Sequence, residues 1–331
     1  MEYVALGRTG VRVSPLCLGT MNFADRTPED ESTRILDRAI DAGINFIDTA
    51  DFYGHALQGE VGMGHTEARL GRYFSNRGGR NRIVLATKFL YPTSWEDPNA
   101  RGGSRRHVIQ ACEDSLRRLQ TDTIDLYQMH SPDTNVPIDE TLRALDDLIR
   151  SGKVRYIGTS HFAAWQIMEA LGVSAELRLN RFISEQEKLN PVRRQMEAEL
   201  LPMARKHGIA VLAYQPLAAG LFSGKYVRDG ELPEGSRYSD PSWAGYRDSY
   251  LTGRGLGVLE GLQAMATEKD CSVSQLATAW PLTRQGVTSV IIGPRTVDQL
   301  EDSLGAVAVE WSEAELTKLD EISPGPIQQP R

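Results

Sequence analysis

The feature that most constrains this chain is an alternation in which short β-rich runs and longer stretches of helical period follow one another eight times. The candidate strands are VSPLCLGT (13–20), NFIDTAD (45–51), RIVLATKF (82–89), IDLYQMHS (124–131), VRYIGTSH (154–161), RFISEQ (181–186), AVLAYQPL (210–217) and VTSVIIG (287–293). Between them, stretches such as ESTRILDRAIDAG, RRHVIQACEDSLRRLQ, PIDETLRALDDLIRSG, EAELLPMARKHG and SVSQLATAWPLTRQG space apolar residues by three or four, and several close on glycine. Helices placed between strands join parallel strands through right-handed crossovers. Eight such units without a break in composition predict an α/β fold, a closed (β/α)8 TIM barrel, rather than an open sheet of about five or six strands. A barrel core of this kind takes all 331 residues as one domain.

Three segments lie outside the repeat. EYVALGRTGVRVSP reads as an N-terminal β-hairpin turning at Thr9 and Gly10, placed to plug the bottom of the barrel. HALQGEVGMGH (55–65) is an insertion after the second strand, and 218–252, rich in Gly, Pro, Ser and aromatics, is the longest irregular stretch. After Gly305 a charged helix, SEAELTKLDEI, is added to the eight-unit count.

Composition narrows the function. Lys plus Arg number 37 against 44 Asp plus Glu, a formal net charge of −7, with no basic block to follow a nucleic-acid backbone or an anionic membrane. The polar start and the lack of any run of about 18 apolar residues argue against secretion or membrane insertion, so a cytoplasmic protein is expected. Cys17, Cys112 and Cys271 lie far apart and read as reduced structural thiols. His55, His65, His107, His130, His161 and His207 show neither HxH nor HExxH spacing, which leaves no metal site and disfavours a metal-dependent barrel hydrolase. No GxGxxG follows a strand and no GxxxxGK[ST] occurs.

Catalysis on such barrels sits at the C-terminal ends of the strands. Read there in order, the chain offers Asp48 with Tyr53, then Lys88, then His130. A tyrosine, with an ordinary pKa of about 10, donates a proton poorly at neutral pH unless an ammonium stabilises the phenolate, and Lys88 is placed to be that ammonium. Asp48 would hold Lys88, and His130 would hydrogen-bond a substrate oxygen gaining negative charge. Each residue alone has an ordinary structural explanation as a turn, cap or solvated strand end. Together, on adjacent strand ends, they suit protonation of a carbonyl oxygen while its carbon is attacked.

The chain resembles the aldo-keto reductase superfamily along essentially its whole length, through LGRTGVRVSPLCLGTMNF, NFIDTADFYG, VLATKF, DLYQMHSPD, GKVRYIGTSHF and YQPLAAGLFSGKY in that order. It looks most like the longer bacterial reductases and the potassium-channel β-subunit-like branch. The resemblance implies that Asp48, Tyr53, Lys88 and His130 are a catalytic tetrad with Tyr53 as general acid, and that NADPH in the barrel mouth supplies the attacking hydride.

By the same resemblance, Ser160 and Gln186 would bind the nicotinamide carboxamide and Tyr214 would stack on its ring. Leu217, Ala219, Gly220 and Lys225 would cover the pyrophosphate, with Arg237 in reach. Gln299 and Asp302 would lie near the adenosine. Gly19, Thr20, Met21, Asp48, His161, Gln215, Gly293 and Ser303 complete the implied cofactor contacts. A helix starting near Thr296 would offer free N–H groups to an anion; with NADPH implied, the planar donors of Arg295 suit its 2′-phosphate, whereas the residues alone allow a solvated surface arginine equally well. The stretch 218–252 is then expected to be mobile alone and to order over NADPH, the alternative being a loop packed permanently against the barrel rim by Tyr238, Trp243, Tyr246 and Tyr250. Three positions depart from the family pattern: His161 stands for an asparagine, Leu189 for a tyrosine and Ser303 for an asparagine. The implied activity is reduction of an aldehyde or ketone. A reductase of nucleotide-linked keto-sugars and an NADP-binding regulatory subunit with little turnover are the alternatives, and a monomer and a homo-oligomer are both open.

Overall fold

The computed structural model describes residues 1–54 and 64–326. Most of the predicted insertion after the second strand, residues 55–63, therefore lies outside the described residues.

All eight predicted barrel strands are present. A two-stranded hairpin, β1 (Val4–Ala5) and β2 (Arg12–Val13), precedes β3 (Leu16–Gly19), β4 (Phe46–Asp48), β5 (Val84–Phe89), β6 (Ile124–Met129), β7 (Val154–Ser160), β8 (Phe182–Lys188), β9 (Ala210–Tyr214) and β10 (Val287–Ile292). The last eight pair in parallel in the cyclic order β10-β3-β4-β5-β6-β7-β8-β9 and close on themselves. In β1 and β2 Val4 faces Val13, and the chain turns where Leu6 N–H donates to Val11 O. Leu6 and Val13 are fully buried against Cys17, Phe46, Ala86, Leu126, Ala210 and Leu212, so the hairpin does close the barrel floor. Gly7 makes this possible, because its φ is +58° and a Cβ there would meet the carbonyl oxygens of Ile183 and Gly208 at 2.8 and 2.9 Å.

The helices that ring the barrel follow the apolar period. Helices α1 (Glu29–Asp41), α2 (His65–Arg77), α3 (Arg105–Leu119), α4 (Ile138–Arg150), α5 (Ala164–Leu177) and α6 (Leu200–His207) each follow a strand. In α4, Asp139 and Glu140 suit the positive end of the helix and Arg150 the negative end. Its buried Leu142, Leu145 and Leu148 pack inward, each contributing roughly 1.5–3 kcal/mol by leaving water. The stretch read as SVSQLATAWPLTRQG splits into α9 (Val273–Ala279) and a 3-10 turn, Trp280–Thr283, because Pro281 lacks the N–H that would extend the helix.

The segment 218–252 is less irregular than its composition implied. It contains 3-10 turns at Ala218–Ser223, Arg237–Ser239 and Pro241–Trp243, then α7 (Ala244–Tyr250). Leu221, Phe222, Tyr226, Tyr238 and Tyr250 are buried, and the Tyr238 hydroxyl donates to Ala218 O at 2.5 Å. Its aromatics thus pack the segment against the barrel. A long helix, α8 (Gly253–Lys269), follows, and α10 (Val297–Gly305) and α11 (Glu313–Ile322) complete the ring and the added charged helix.

Candidate active site

Side chains of a strand alternate between its two faces, so residues two apart point the same way. The inward layer that contains Cys17, Phe46, Ala86 and Leu126 is followed one step nearer the mouth by Gly19, Asp48, Lys88 and Gln128. Register aligns Gly19 with Asp48 and Lys88 with Gln128, while between β4 and β5 it steps by two residues, Asp48 pairing with Ala86. A Cβ on Gly19 would meet the Ile291 side chain at 2.6 Å, so a bare backbone is what fits at this point of the wall.

The four predicted catalytic residues converge here. Lys88 Nζ donates to Asp48 Oδ1 at 2.5 Å, to Thr49 O at 2.9 Å and to the Tyr53 hydroxyl oxygen at 3.1 Å. The other Asp48 oxygen accepts from the amides of Gln128 and Gln186, each at 3.0 Å. The Tyr53 and His130 rings meet edge to face with centroids 5.9 Å apart. Lys88 is fully buried and Asp48 nearly so. Gln128 is the functional neighbour that sequence reasoning missed; its position two before His130, on the same strand face, was the available signal.

Burial works against the Lys88 charge, but Asp48 and Tyr53 outweigh it and hold the ammonium above its ordinary pKa. Burial also dominates Tyr53: its pKa is raised even though Lys88 pulls it down. Lys88 was expected to stabilise the Tyr53 phenolate, and it does pull in that direction. In the fold it offsets only part of the cost of burial, so Tyr53 stays a protonated phenol at neutral pH. Burial, followed by the charges of Lys88 and His161, pushes His130 well below the usual histidine range, which leaves a neutral imidazole. Two aromatic rings continue the wall, Tyr91 at 4.8 Å from His130 and Phe52 at 5.2 Å from Tyr91.

The proposed nicotinamide contacts flank the same group. Ser160 Oγ donates to Gln186 O at 2.9 Å, and these residues are cross-strand partners. His161, with φ +62°, turns its Nε2 to the Tyr214 hydroxyl at 3.1 Å and its Nδ1 to Glu187 at 3.5 Å. Leu189 is fully buried. Gln215, at φ +57°, accepts from the Tyr250 hydroxyl through Oε1 at 3.1 Å. Thr20 Oγ1 donates to Asp48 O at 2.9 Å, Gly293 O accepts from Asn22 at 2.8 Å, and Met21 lies exposed.

Further out the fold assembles cations. Leu217 leads into a turn in which Ala219 has φ +55° and Gly220 φ +110°. Burial lowers the Lys225 pKa, and Arg295 and Arg237 lower it further. Arg237 is pushed down to about 10, first by burial and then by Arg26 and Arg295. Among the described residues none of Lys225, Arg237 and Arg295 forms an ion pair with a carboxylate. Arg237 stacks on Trp243 at 4.3 Å, and Arg26, on the loop after β3, approaches the same ring at 5.4 Å while pairing with Asp240 at 2.9 Å. Neither Arg26 nor Trp243 was singled out as a partner in this cluster from sequence.

The N-terminus of α10 is less open than expected. Val297 N–H donates to Glu31 at 2.8 Å and Gln299 N–H to the Thr296 hydroxyl at 3.2 Å, so two of its first-turn groups are already taken. Gln299 Oε1 caps Arg295 N–H at 2.9 Å, Ser303 bonds Gln299 O at 2.9 Å, and Asp302 accepts from the Ser272 and Ser274 hydroxyls. Among the described residues no group of three or more His, Cys, Asp or Glu is placed to hold a metal, and no helix is long and apolar enough to cross a membrane.

The sequence profile of the aldo/keto reductase family matches residues 15–324. The chain is 41% identical to the uncharacterized oxidoreductase YrpG of Bacillus subtilis (strain 168), over 98% of this chain and 97% of that protein. It is 35% identical to a probable voltage-gated potassium channel subunit beta of Arabidopsis thaliana and 34% identical to one of Oryza sativa subsp. japonica, in each case over 93% of this chain and 92% of the relative.

Proposed function

Because the chain belongs to the aldo/keto reductase family, we propose that it reduces an aldehyde or ketone to the alcohol with NADPH, Tyr53 acting as general acid. The observation that carries this reading is the 3.1 Å contact between Lys88 Nζ and the Tyr53 hydroxyl, inside a group that also holds Asp48 and a neutral His130.

A substrate oxygen seated between Tyr53 and His130 would receive the Tyr53 proton while His130 hydrogen-bonds the charge that builds on it. The phenolate left behind faces the Lys88 ammonium, which is held in place by Asp48 and Thr49 O. Asp48 in turn is held by Gln128 and Gln186, so the donor set is oriented before substrate arrives. Tyr53 regains its proton from solvent after the alcohol leaves.

The residues present fit NADPH. Ser160 and Gln186 would hold the carboxamide, the Tyr214 ring would support the nicotinamide, and Lys225, Arg237 and Arg295, cations without carboxylate partners among the described residues, suit a group bearing several phosphate charges. When bound, the reduced nicotinamide supplies a hydride to the carbonyl carbon, which together with the Tyr53 proton balances the reduction. His161 is already engaged by Tyr214 and Glu187.

The test is a panel of aldehydes, ketones and keto-sugars assayed by NADPH consumption. Turnover of small carbonyls supports the reading. Tight NADPH binding without turnover of any carbonyl contradicts it and favours a regulatory role.

A further inference from the structure

Neighbouring helices α2, α3, α4 and α5 pack side by side around the barrel, and α5 and α6 approach less closely. Helix α6 has eight residues against fourteen in α5, and between them opens a mostly apolar groove lined by Met168, Pro202, Met203, Arg205, Lys206 and His207. One turn away on α5, Trp165 is 64% exposed, and Met168 is 37% exposed. The helix buries Ile167, Ala170, Leu171 and Ser174, yet its other face turns Trp165, Met168, Gly172 and Ala175 outward beside Glu169 and Glu176. A soluble helix normally shows a polar face to water, and a tryptophan beside an apolar groove marks a contact surface.

We propose that this surface pairs with a second copy of the chain, α5 of each copy lying in the groove of the other. The charges choose that occupant. Exposed Glu169 and Glu176 on α5 and exposed Lys206 on α6 have no ion-pair partner among the described residues, while Arg205 bonds only the neutral Gln285. One surface therefore carries both halves of a complementary pattern. A two-fold rotation sets the acidic α5 of each copy against the basic end of α6 of the other, the self-matching arrangement of an isologous dimer. A purely acidic or purely basic partner would satisfy one edge and oppose the other. Trp165 and Met168 supply the apolar anchor.

Sedimentation equilibrium of the full chain tests this. The wild type is expected to form a reversible dimer, and Trp165→Glu to weaken it at least about thirtyfold, the effect of losing an aromatic hot spot. Two further variants give a test that does not depend on Trp165. Glu169→Lys with Glu176→Lys makes the face wholly basic, and Arg205→Glu with Lys206→Glu makes it largely acidic. Each is expected to be monomeric alone and the two to form a heterodimer when mixed. A wild type that is monomeric up to its solubility limit, a dimer that Trp165→Glu leaves intact, or charge variants that stay apart when mixed would overturn the proposal.

Discussion

Lys88 Nζ stands 2.5 Å from Asp48 Oδ1 and both groups are almost wholly out of water, which makes this the buried ion pair on which the proposed chemistry is built. Taking two charges into the interior is costly, and removing one partner leaves the other uncompensated. Lys88→Met should therefore destabilise the fold by about 3–5 kcal/mol, read from the midpoint of urea unfolding, and should also abolish turnover. An unchanged midpoint would mean that the Asp48 carboxylate is not held as an ion in the native state.

The cation cluster predicts a cofactor preference. A charge-assisted contact is worth about 1.5–3 kcal/mol, roughly tenfold to a hundredfold in affinity. Arg295→Ala should weaken NADPH by that factor and leave NADH nearly unchanged in fluorescence titrations. Equal losses for both would move Arg295 away from the 2′-phosphate.

Acid should destabilise the protein partly through His107. Burial lowers its pKa from 6.5 to about 4 in the fold, whereas an unfolded histidine takes up its proton near 6.5. Below about pH 6.5 the unfolded state thus binds more protons, and stability is lost as pH falls from there towards 4. The buried neutral His130 acts in the same direction. Unfolding midpoints at pH 7 and pH 5 check this: His107→Gln should lose less stability than the wild type between the two, and equal losses would remove His107 from the account.

The barrel strands and the four clustered polar residues were legible because both follow short-range rules. A short β-rich run between helical stretches marks a strand, and its C-terminal end marks the mouth, which is how Asp48, Lys88 and His130 were found. What escaped depends on distance. Arg26 meets Asp240 and Trp243 across more than two hundred residues, and Glu31 reaches Val297 from another helix, so no local spacing announces either contact. Helix α8 was not read as an element because Gly253, Gly255, Gly257 and Gly261 blur its apolar period. Glycine and proline content suggested a loose 218–252, but the burial of Tyr226, Tyr238 and Tyr250 decides its packing. The rise in the Tyr53 pKa was also outside the reach of sequence, since the depth of burial sets it.

The most direct test of the account is the turnover of Tyr53→Phe on a good carbonyl substrate, measured with the dissociation constant of NADPH. Loss of general acid catalysis should lower kcat about 10²-fold to 10⁴-fold, while NADPH binding stays as in the wild type, because the hydroxyl serves the reaction more than the affinity. Wild-type turnover in Tyr53→Phe would contradict the assignment of Tyr53 as the proton donor.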